Sequence, residues 1–571
     1  MSKSLYFRRF SGVFYGTAVK QVNKLSNRVL WFLLLFLAGS SARAQSKDVL
    51  TYHSDNGQEV VKYNWLDFGG NPQHDNFDRD EKIISKANVG RLKPLWSITV
   101  GNWVDREPLY VHDLNTIAGK KDVVFVNTKK GECAAFDALT GAKIWMTPSL
   151  CSKGGFRESE ANCAIEPTLQ YIFVYGTDGY VYKLKTYDGS QVTDGGWPIQ
   201  AHPFPKEMGY SLGIFTAKNG VTYLTAKNSQ GLGHIVTINL KDNTRHVFTQ
   251  GRTTIVDQIV SQKGGACAWG RAGGVYDPEL DVIYLTTANN GGGFDPKNYS
   301  YGNSVLKLKY DGTSDKPNAP MDSYTAANVN PKYCTECTGY YQDPGDREPG
   351  STDPLILPTG ICPKYPHLLV QSGKDAWVRI INRDDMSGKG APGNVGGELF
   401  KMKLPQTAPD SDDDQKDDHG VMSQPTLYVD AEDHSTWVIV GSQSGICGLK
   451  FKLAADGRPA LETVWSRSID GDMVRNGNVN TATATATGLL FYSNGGLQSG
   501  SRQSTLFCVD IKTGVPLWQT IMGPHHWASQ IVASGMVFYP NGKNNSTLTA
   551  FTVDGKMPIE PRSVKKTNSH Q

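Results

Sequence analysis

Charge of one sign is scarce in this chain. Lys and Arg number 58 and Asp and Glu 55 among 571 residues, a formal charge of +3. Even that excess is local, because the first 44 residues hold seven Lys/Arg and no acid, which leaves −4 on residues 45–571. A mildly acidic body lacks the basic footprint that nucleic-acid binding needs. Long apolar runs are nearly missing too. The clearest, Val29–Ala38, has ten residues, too few to cross a bilayer core of about 30 Å. Long stretches of helical period are absent, which argues against a bundle. No P-loop, dinucleotide fingerprint or nucleophile elbow is present. Cysteine is modest at nine, and the one C-x-x-C pair, Cys334 and Cys337, is followed by Thr338 and has no second pair. That excludes c-type haem attachment and a zinc ribbon at this site.

The short apolar run has a different use. It follows a basic stretch and precedes small residues and Ala42-Arg43-Ala44, the three-part pattern of a secretory signal with cleavage after Ala44. The expected organisation is therefore a signal over 1–44 and one domain over 45–571, with insertions near 313–352 and 404–420. The mature chain is expected in a secretory compartment, secreted or periplasmic, with no membrane span. Export makes nearby cysteines disulfide candidates. Cys151 and Cys163 flank a polar loop and form the first choice; Cys334 and Cys337 are each within reach of Cys362. Cys133, Cys267, Cys447 and Cys508 sit among apolar residues and read as buried thiols.

Gly is abundant, 60 of 571, and Thr and Tyr are plentiful, a profile of short strands and tight turns. The pattern repeats: an apolar strand, a Gly turn, a second strand, then Asp-(x)-Gly and often a Trp. The clearest copy runs from Val123 to Trp145 and contains Ala135-x-Asp137-x-x-Thr140-Gly141-x-x-x-Trp145. A second ends in Asp510-Ile-Lys-Thr513-Gly514-Val-Pro-Leu-Trp518, and weaker anchors fall at Asp188, Asp242, Asp311, Asp385, Asp456 and Asp554. Eight such anchors predict an all-β fold, an eight-bladed β-propeller of four-stranded blades. The Asp is expected to bond amides of its turn, the Gly to take the left-handed conformation, and the Trp to pack on the next blade. Leu95-Trp96 precedes the first full copy and is expected to close the ring with the last blade.

The Ala135–Trp145 motif resembles the tryptophan-docking motif of the pyrroloquinoline quinone (PQQ) dehydrogenases. The segment Asn64-Trp-Leu-Asp-Phe-Gly-Gly-Asn71, with Val89-Gly-Arg-Leu-Lys-Pro-Leu-Trp96 after it, resembles the start of that superfamily, nearest its polyvinyl-alcohol-dehydrogenase-like branch. The likeness covers most of residues 62–556. It implies an alcohol-oxidising quinoprotein that uses PQQ and Ca²⁺, acts on a small-molecule alcohol and passes electrons to a separate acceptor. The alternative is a non-catalytic propeller that binds a ligand or protein, since a fold does not carry its function with it.

Several runs carry an acid or amide before Pro: Glu107, Glu166, Asp353 and Gln424. If each opens an innermost strand, these side chains gather at one mouth of the central channel, where clustered acids call for a cation or a proton. The resemblance then implies roles. Asp346 and Glu348 lie where the family has its catalytic base, although Glu348 stands where Asp is usual. Trp269 corresponds to the aromatic floor, Lys374 to the cation at the quinone oxygens, and Asn289 to a calcium ligand. Glu166 substitutes for the missing calcium-binding Glu of the second blade. Glu107 and Arg475 are candidates for holding the cofactor. No adjacent Cys-Cys pair exists to cap its other face. His526, before the last run, is a further acid–base candidate, and the acidic stretch Asp410–Asp418 reads mainly as a solvated loop.

Overall fold

The computed structural model describes residues 64–151, 161–201, 210–217, 221–227, 233–249, 270–287, 301–315, 320–326, 349–386, 396–405, 420–468, 477–496, 504–523, 527–542 and 545–558. The predicted signal and the acidic stretch lie outside them. Among the described residues no helix is long and apolar enough to cross a membrane.

The fold is all-β, four-stranded blades arranged as a propeller, and its only helical elements among the described residues are three-residue 3₁₀ turns. Among the described residues seven sheets have four strands each and one further sheet has six. In six of the four-stranded sheets the strands follow chain order and pair antiparallel, as tight turns between short strands dictate. First and outer strands differ in burial: Thr426–Val429 is almost wholly buried, whereas Pro516–Met522 alternates toward solvent. Middle strands are covered on both faces, which is why they read as unbroken apolar runs such as Val123–Val126.

The core is a set of slabs between sheets. Leu355, Val370 and Val378 pack against Val438, Leu449 and Leu461 of the next sheet. Trp437 and Ile446 likewise meet Leu490 and Val509 of the sheet after it. Each slab ends in the repeat motif. Asp137 Oδ1 accepts from the amides of Leu139 (3.0 Å) and Thr140 (3.1 Å), and Asp510 Oδ1 from Lys512 (2.9 Å) and Thr513 (3.1 Å). The outer-strand tryptophans then reach the neighbouring sheet. Trp145 Nε1 donates to Thr186 O (2.9 Å), and Trp465 Nε1 to Ile511 O (2.8 Å). The ring closes in the same way. Leu92–Thr99 pairs with Thr547–Val553 as outer strand of the last sheet, and Trp96 Nε1 donates to Ala138 O (2.9 Å) in the first.

Gly514 shows why the motif needs its glycine. Its φ is +69°, and a Cβ there would lie 2.7 Å from the Trp465 ring. Gly514→Ala adds left-handed strain to this overlap and should cost about 1–3 kcal/mol by urea denaturation. A variant as stable as wild type would show that the indole does not dock there.

Residues 64–81 form a strap across the channel. A propeller's first strands turn one unpaired edge inward, and unpaired edges need partners. The strap supplies them in chain order. Trp65 and Tyr110 exchange two backbone bonds (2.7 and 3.0 Å). Ile165 N donates to Leu66 O (2.9 Å), Thr216 N to Asp67 Oδ1 (3.1 Å) and Tyr276 N to Pro72 O (2.8 Å). Leu427 N donates to Asp75 O (2.9 Å), and Phe77–Asp78 pairs in parallel with Thr483–Thr485. Gly535 N finally donates to Glu81 Oε2 (2.8 Å).

Candidate functional site

One mouth of the channel is built by the segments that lead into first strands and by the turns after second strands. Glu107, Asp353 and Gln424 do precede first strands, which begin at Leu109, Leu355 and Thr426. Glu166 does not. It follows Ala164–Ile165 and so lies at the far end of its strand. Its carboxylate caps its own turn: Oε2 accepts from Thr168 N (3.0 Å), Oε1 from Gln170 N (3.0 Å), Tyr171 N (3.3 Å) and the Thr168 hydroxyl. The metal-ligand assignment of Glu166 is therefore corrected. The Glu-Pro dipeptide that suggested a strand start here marks a strand end.

Asp353 is wholly buried and faces the sheet before its own. Oδ2 accepts from the amides of Ala272 (3.1 Å), Gly273 (2.9 Å) and Gly274 (3.0 Å). Oδ1 accepts from Thr286 N (3.2 Å) and Oγ1 (3.3 Å). The backbone of Gly270 runs so close that any Cβ would overlap the carboxylate. Burial pushes the carboxyl up to about 6, against these donors that pull it down. The adjoining ring bonds are similar. Asp353 N donates to Gln424 Oε1 (3.0 Å), Gln424 N to Thr481 Oγ1 (3.2 Å) and Gln530 Nε2 to Thr481 O (2.9 Å). Lys374 lies in the turn after Leu368–Ser372, beside this carboxylate's strand, since Thr352 Oγ1 donates to Ser372 O (2.5 Å).

Glu107 is held by the strap. Its Oε1 accepts from Trp65 Nε1 (2.9 Å) and from Gly69 N, while Oε2 has no hydrogen-bond partner among the described residues. Burial raises this carboxyl to about 8, opposed by those bonds and by the charge of Arg271. Asp67 on the strap is also buried and is pushed well above the usual carboxylate range by burial. Cys163 lies within electrostatic reach of both acids and is pushed up by burial to about 12.

Cys151 and Cys163 are not bonded to each other in this structure, so the expected disulfide is not formed. The loop-flanking spacing that suggested the pair does not set where the side chains go. Cys163 turns inward beside Asp67 and Glu107, whereas Cys151 is half-exposed. Cys133, Cys447 and Cys508 are buried thiols as expected, and Cys362 is buried too. Cys267, Cys334 and Cys337 lie outside the described residues.

The mouth has a second network that sequence reasoning missed. Lys129 Nζ pairs with Asp105 Oδ2 at 3.0 Å, both buried, and lies 3.9 Å from the Trp103 ring centre. Asp105 Oδ1 accepts from Trp527 N (2.8 Å), joining the first sheet to the approach of the last. The Arg271 guanidinium stacks 3.7 Å over the Trp527 ring, and Nη2 donates to Trp527 O (3.3 Å). Arg271 is only 2% exposed. The one available signal was three charges in a row, Asp105-Arg106-Glu107, directly before a first strand. Of the proposed site residues, Trp269, Asn289, Asp346, Glu348, Arg475 and also His526 lie outside the described residues.

Against this geometry the implied cofactors separate. A calcium ion needs several oxygen donors with free lone pairs. Glu166 and Asp353 have spent theirs on amides and hydroxyls, and no cluster of three His, Cys, Asp or Glu suited to a metal exists among the described residues. The calcium assignment does not fit them. The described cation–ring pairs at this mouth are Lys129 on the half-buried Trp103 and Arg271 on the half-buried Trp527.

No protein-family model and no curated protein sequence matches the chain. Solved structures do. A quinohemoprotein alcohol dehydrogenase from Pseudomonas putida aligns with 87% of this chain and 82% of its own, at 14% identity and TM-score 0.59. One from Comamonas testosteroni aligns with 91% and 85%, at 14% identity and TM-score 0.59. A europium-containing methanol dehydrogenase aligns with 86% and 98%, at 13% identity and TM-score 0.59. The chain thus has the propeller fold of the quinoprotein alcohol dehydrogenases. At these identities the likeness is one of fold.

Proposed function

We propose that the chain is an exported quinoprotein oxidoreductase that turns an alcohol into a carbonyl compound and hands the electrons to a separate acceptor. The observation that carries this reading is the Arg271 guanidinium stacked on Trp527, at the approaches of two first strands, on a fold shared with alcohol dehydrogenases. When bound, PQQ would take up the hydride. In this chain Glu348 or Asp346 is the proposed acceptor of the hydroxyl proton, Lys374 the cation at the quinone oxygens and Trp269 the aromatic floor. Asn289 and Arg475 remain proposed ligand-binding residues. The secretory signal over 1–44 and a single domain over 45–571 belong to the same proposal. So does a ring of eight blades, in which the six-stranded sheet is the seventh blade enlarged by strap residues Phe77–Asp78 and by a divided first strand.

The saturated carboxylates Glu166 and Asp353 favour a second reading, a ligand-binding propeller without catalysis. Purified full-length protein incubated with PQQ and passed through gel filtration separates the classes. Quinone absorbance should elute with the protein, and addition of an alcohol should bleach it. Retention without bleaching would establish the binding scaffold, and no retention would end the quinoprotein reading.

A further inference from the structure

We infer that Cys133 and Cys163 are a disulfide pair, a staple that joins the first and second sheets beside the strap. The inference goes beyond the proposed reaction and takes only export from it, since thiols persist where glutathione is kept reduced.

Strand alternation supplies the geometry. Cys133 opens the third strand of the first sheet, Cys133–Asp137, and lies opposite Asn127, the last residue of the second strand. Cross-strand partners put their side chains on one face of a sheet, and residues two apart share that face. Phe125 and Ala135 are the next pair on it, and Ala135 lies opposite Trp145. This face looks at the second sheet. The Trp145 indole reaches Thr186 O (2.9 Å), and Asn127 Nδ2 donates to Ala161 O (2.7 Å). Cys163 follows Ala161 by two residues and leads directly into Ala164–Ile165, the first strand of the second sheet. The Cys133 side chain and the segment that carries Cys163 thus meet at one seam.

Three further observations single out the pair. Both residues are buried, 0% and 1% exposed. They lie within electrostatic reach of each other, because charge on Cys163 is among the causes that raise the Cys133 thiol. Neither donates its S–H to a described residue, whereas Cys362 and Cys447 donate theirs to the carbonyls of Gly457 (3.6 Å) and Val440 (3.7 Å). Cys151, the partner that spacing suggests, is half-exposed.

Oxidation breaks two S–H bonds and forms one S–S bond. A disulfide oxidant of the secretory route, such as oxidised glutathione, takes up the two electrons and two protons and leaves as two thiols. The attacking species is a thiolate. Burial raises the Cys133 thiol well above its usual range and pushes Cys163 up to about 12, so thiolate is scarce once the sheets have closed. The bond therefore forms during folding, before the seam shuts. It closes a loop of about 30 residues and stabilises chiefly by restricting the unfolded chain. In the folded protein it fixes the approach of the second sheet beside Asp67 and Glu107.

The test refolds reduced full-length protein from urea in a mixture of reduced and oxidised glutathione. Remaining thiols are blocked with N-ethylmaleimide, and a digest prepared without reductant is mapped by mass spectrometry. A peptide joining Cys133 to Cys163 should appear, and dithiothreitol should separate it. Dithiothreitol should also lower the urea midpoint of refolded wild type by about 0.5–1 M more than that of Cys133→Ala, which has no such bond to lose. Cys163→Ala serves if Cys133→Ala does not refold, and the peptide map needs neither variant. N-ethylmaleimide on both residues after refolding, or a peptide joining Cys151 to Cys163, would overturn the inference. Protein recovered from the secretory compartment of its host is mapped in the same way. Linkage after refolding with both thiols free in the recovered protein would overturn the export reading and leave the pairing intact.

Discussion

Glu107→Gln should remove much of the pH dependence of folding stability between pH 4.5 and 8. The wild-type carboxyl is raised from 4.5 to about 8, chiefly by burial. Below pH 4.5 it is protonated whether the chain is folded or not, and its contribution is full. Between the two values the unfolded chain releases the proton and the folded chain keeps it, so stability falls by about 1.4 kcal/mol per pH unit. Above pH 8 both states are ionised and the loss is complete, on the order of 5 kcal/mol. Gln keeps the shape and an oxygen for Trp65 Nε1 and Gly69 N and does not titrate. Urea denaturation at pH 5, 6, 7 and 8 should therefore give converging curves at low pH and a more stable variant at high pH. A residual slope is expected from Asp67, which is raised in the same direction. Parallel curves for variant and wild type would mean that Glu107 is solvated and that the strap does not seal it.

Asp353→Asn should destabilise the protein by about 2–5 kcal/mol at pH 7, where the native carboxyl is ionised. Five N–H or O–H groups point at the two oxygens. A carboxamide offers one acceptor oxygen, and its NH₂ turns donors against donors. The cost should also appear as altered placement of residues 270–274, and hence as weaker PQQ binding at this mouth. Equilibrium unfolding measures the first effect and PQQ titration the second. An Asn variant of wild-type stability would contradict the donor set around Asp353.

The two experiments probe different parts of one arrangement. Glu107 reports on the strap, which occupies the inward edges of first strands, and Asp353 on the ring of bonds that joins neighbouring sheets at the mouth. Arg271 lies between them, electrostatically coupled to the first and positioned by the second.

Much of the fold was legible in the sequence because the repeat is local. Asp137, Gly141 and Trp145 lie within nine residues, and their jobs follow from turn geometry and side-chain reach. Closure of the ring by Trp96 was legible for the same reason, as a half-motif before the first full copy. The mouth was legible only in part. Acid-Pro dipeptides mark strand starts at Glu107 and Asp353 but a strand end at Glu166, and no local feature distinguishes the two cases. Whether a carboxylate is free or saturated depends on amides that are far away in sequence, such as Ala272–Gly274 for Asp353 and Gly69 for Glu107. Spacing pairs Cys163 with a loop neighbour because spacing is all a sequence offers; in the fold it is buried directly before Ala164–Ile165, within electrostatic reach of Asp67 and Glu107. The Lys129–Asp105–Trp527–Arg271 network joins residues up to 422 positions apart in a single contact. Local composition determined that this chain makes blades. Only closure of the ring, which brings its first and last sheets edge to edge, decided which charges share the mouth.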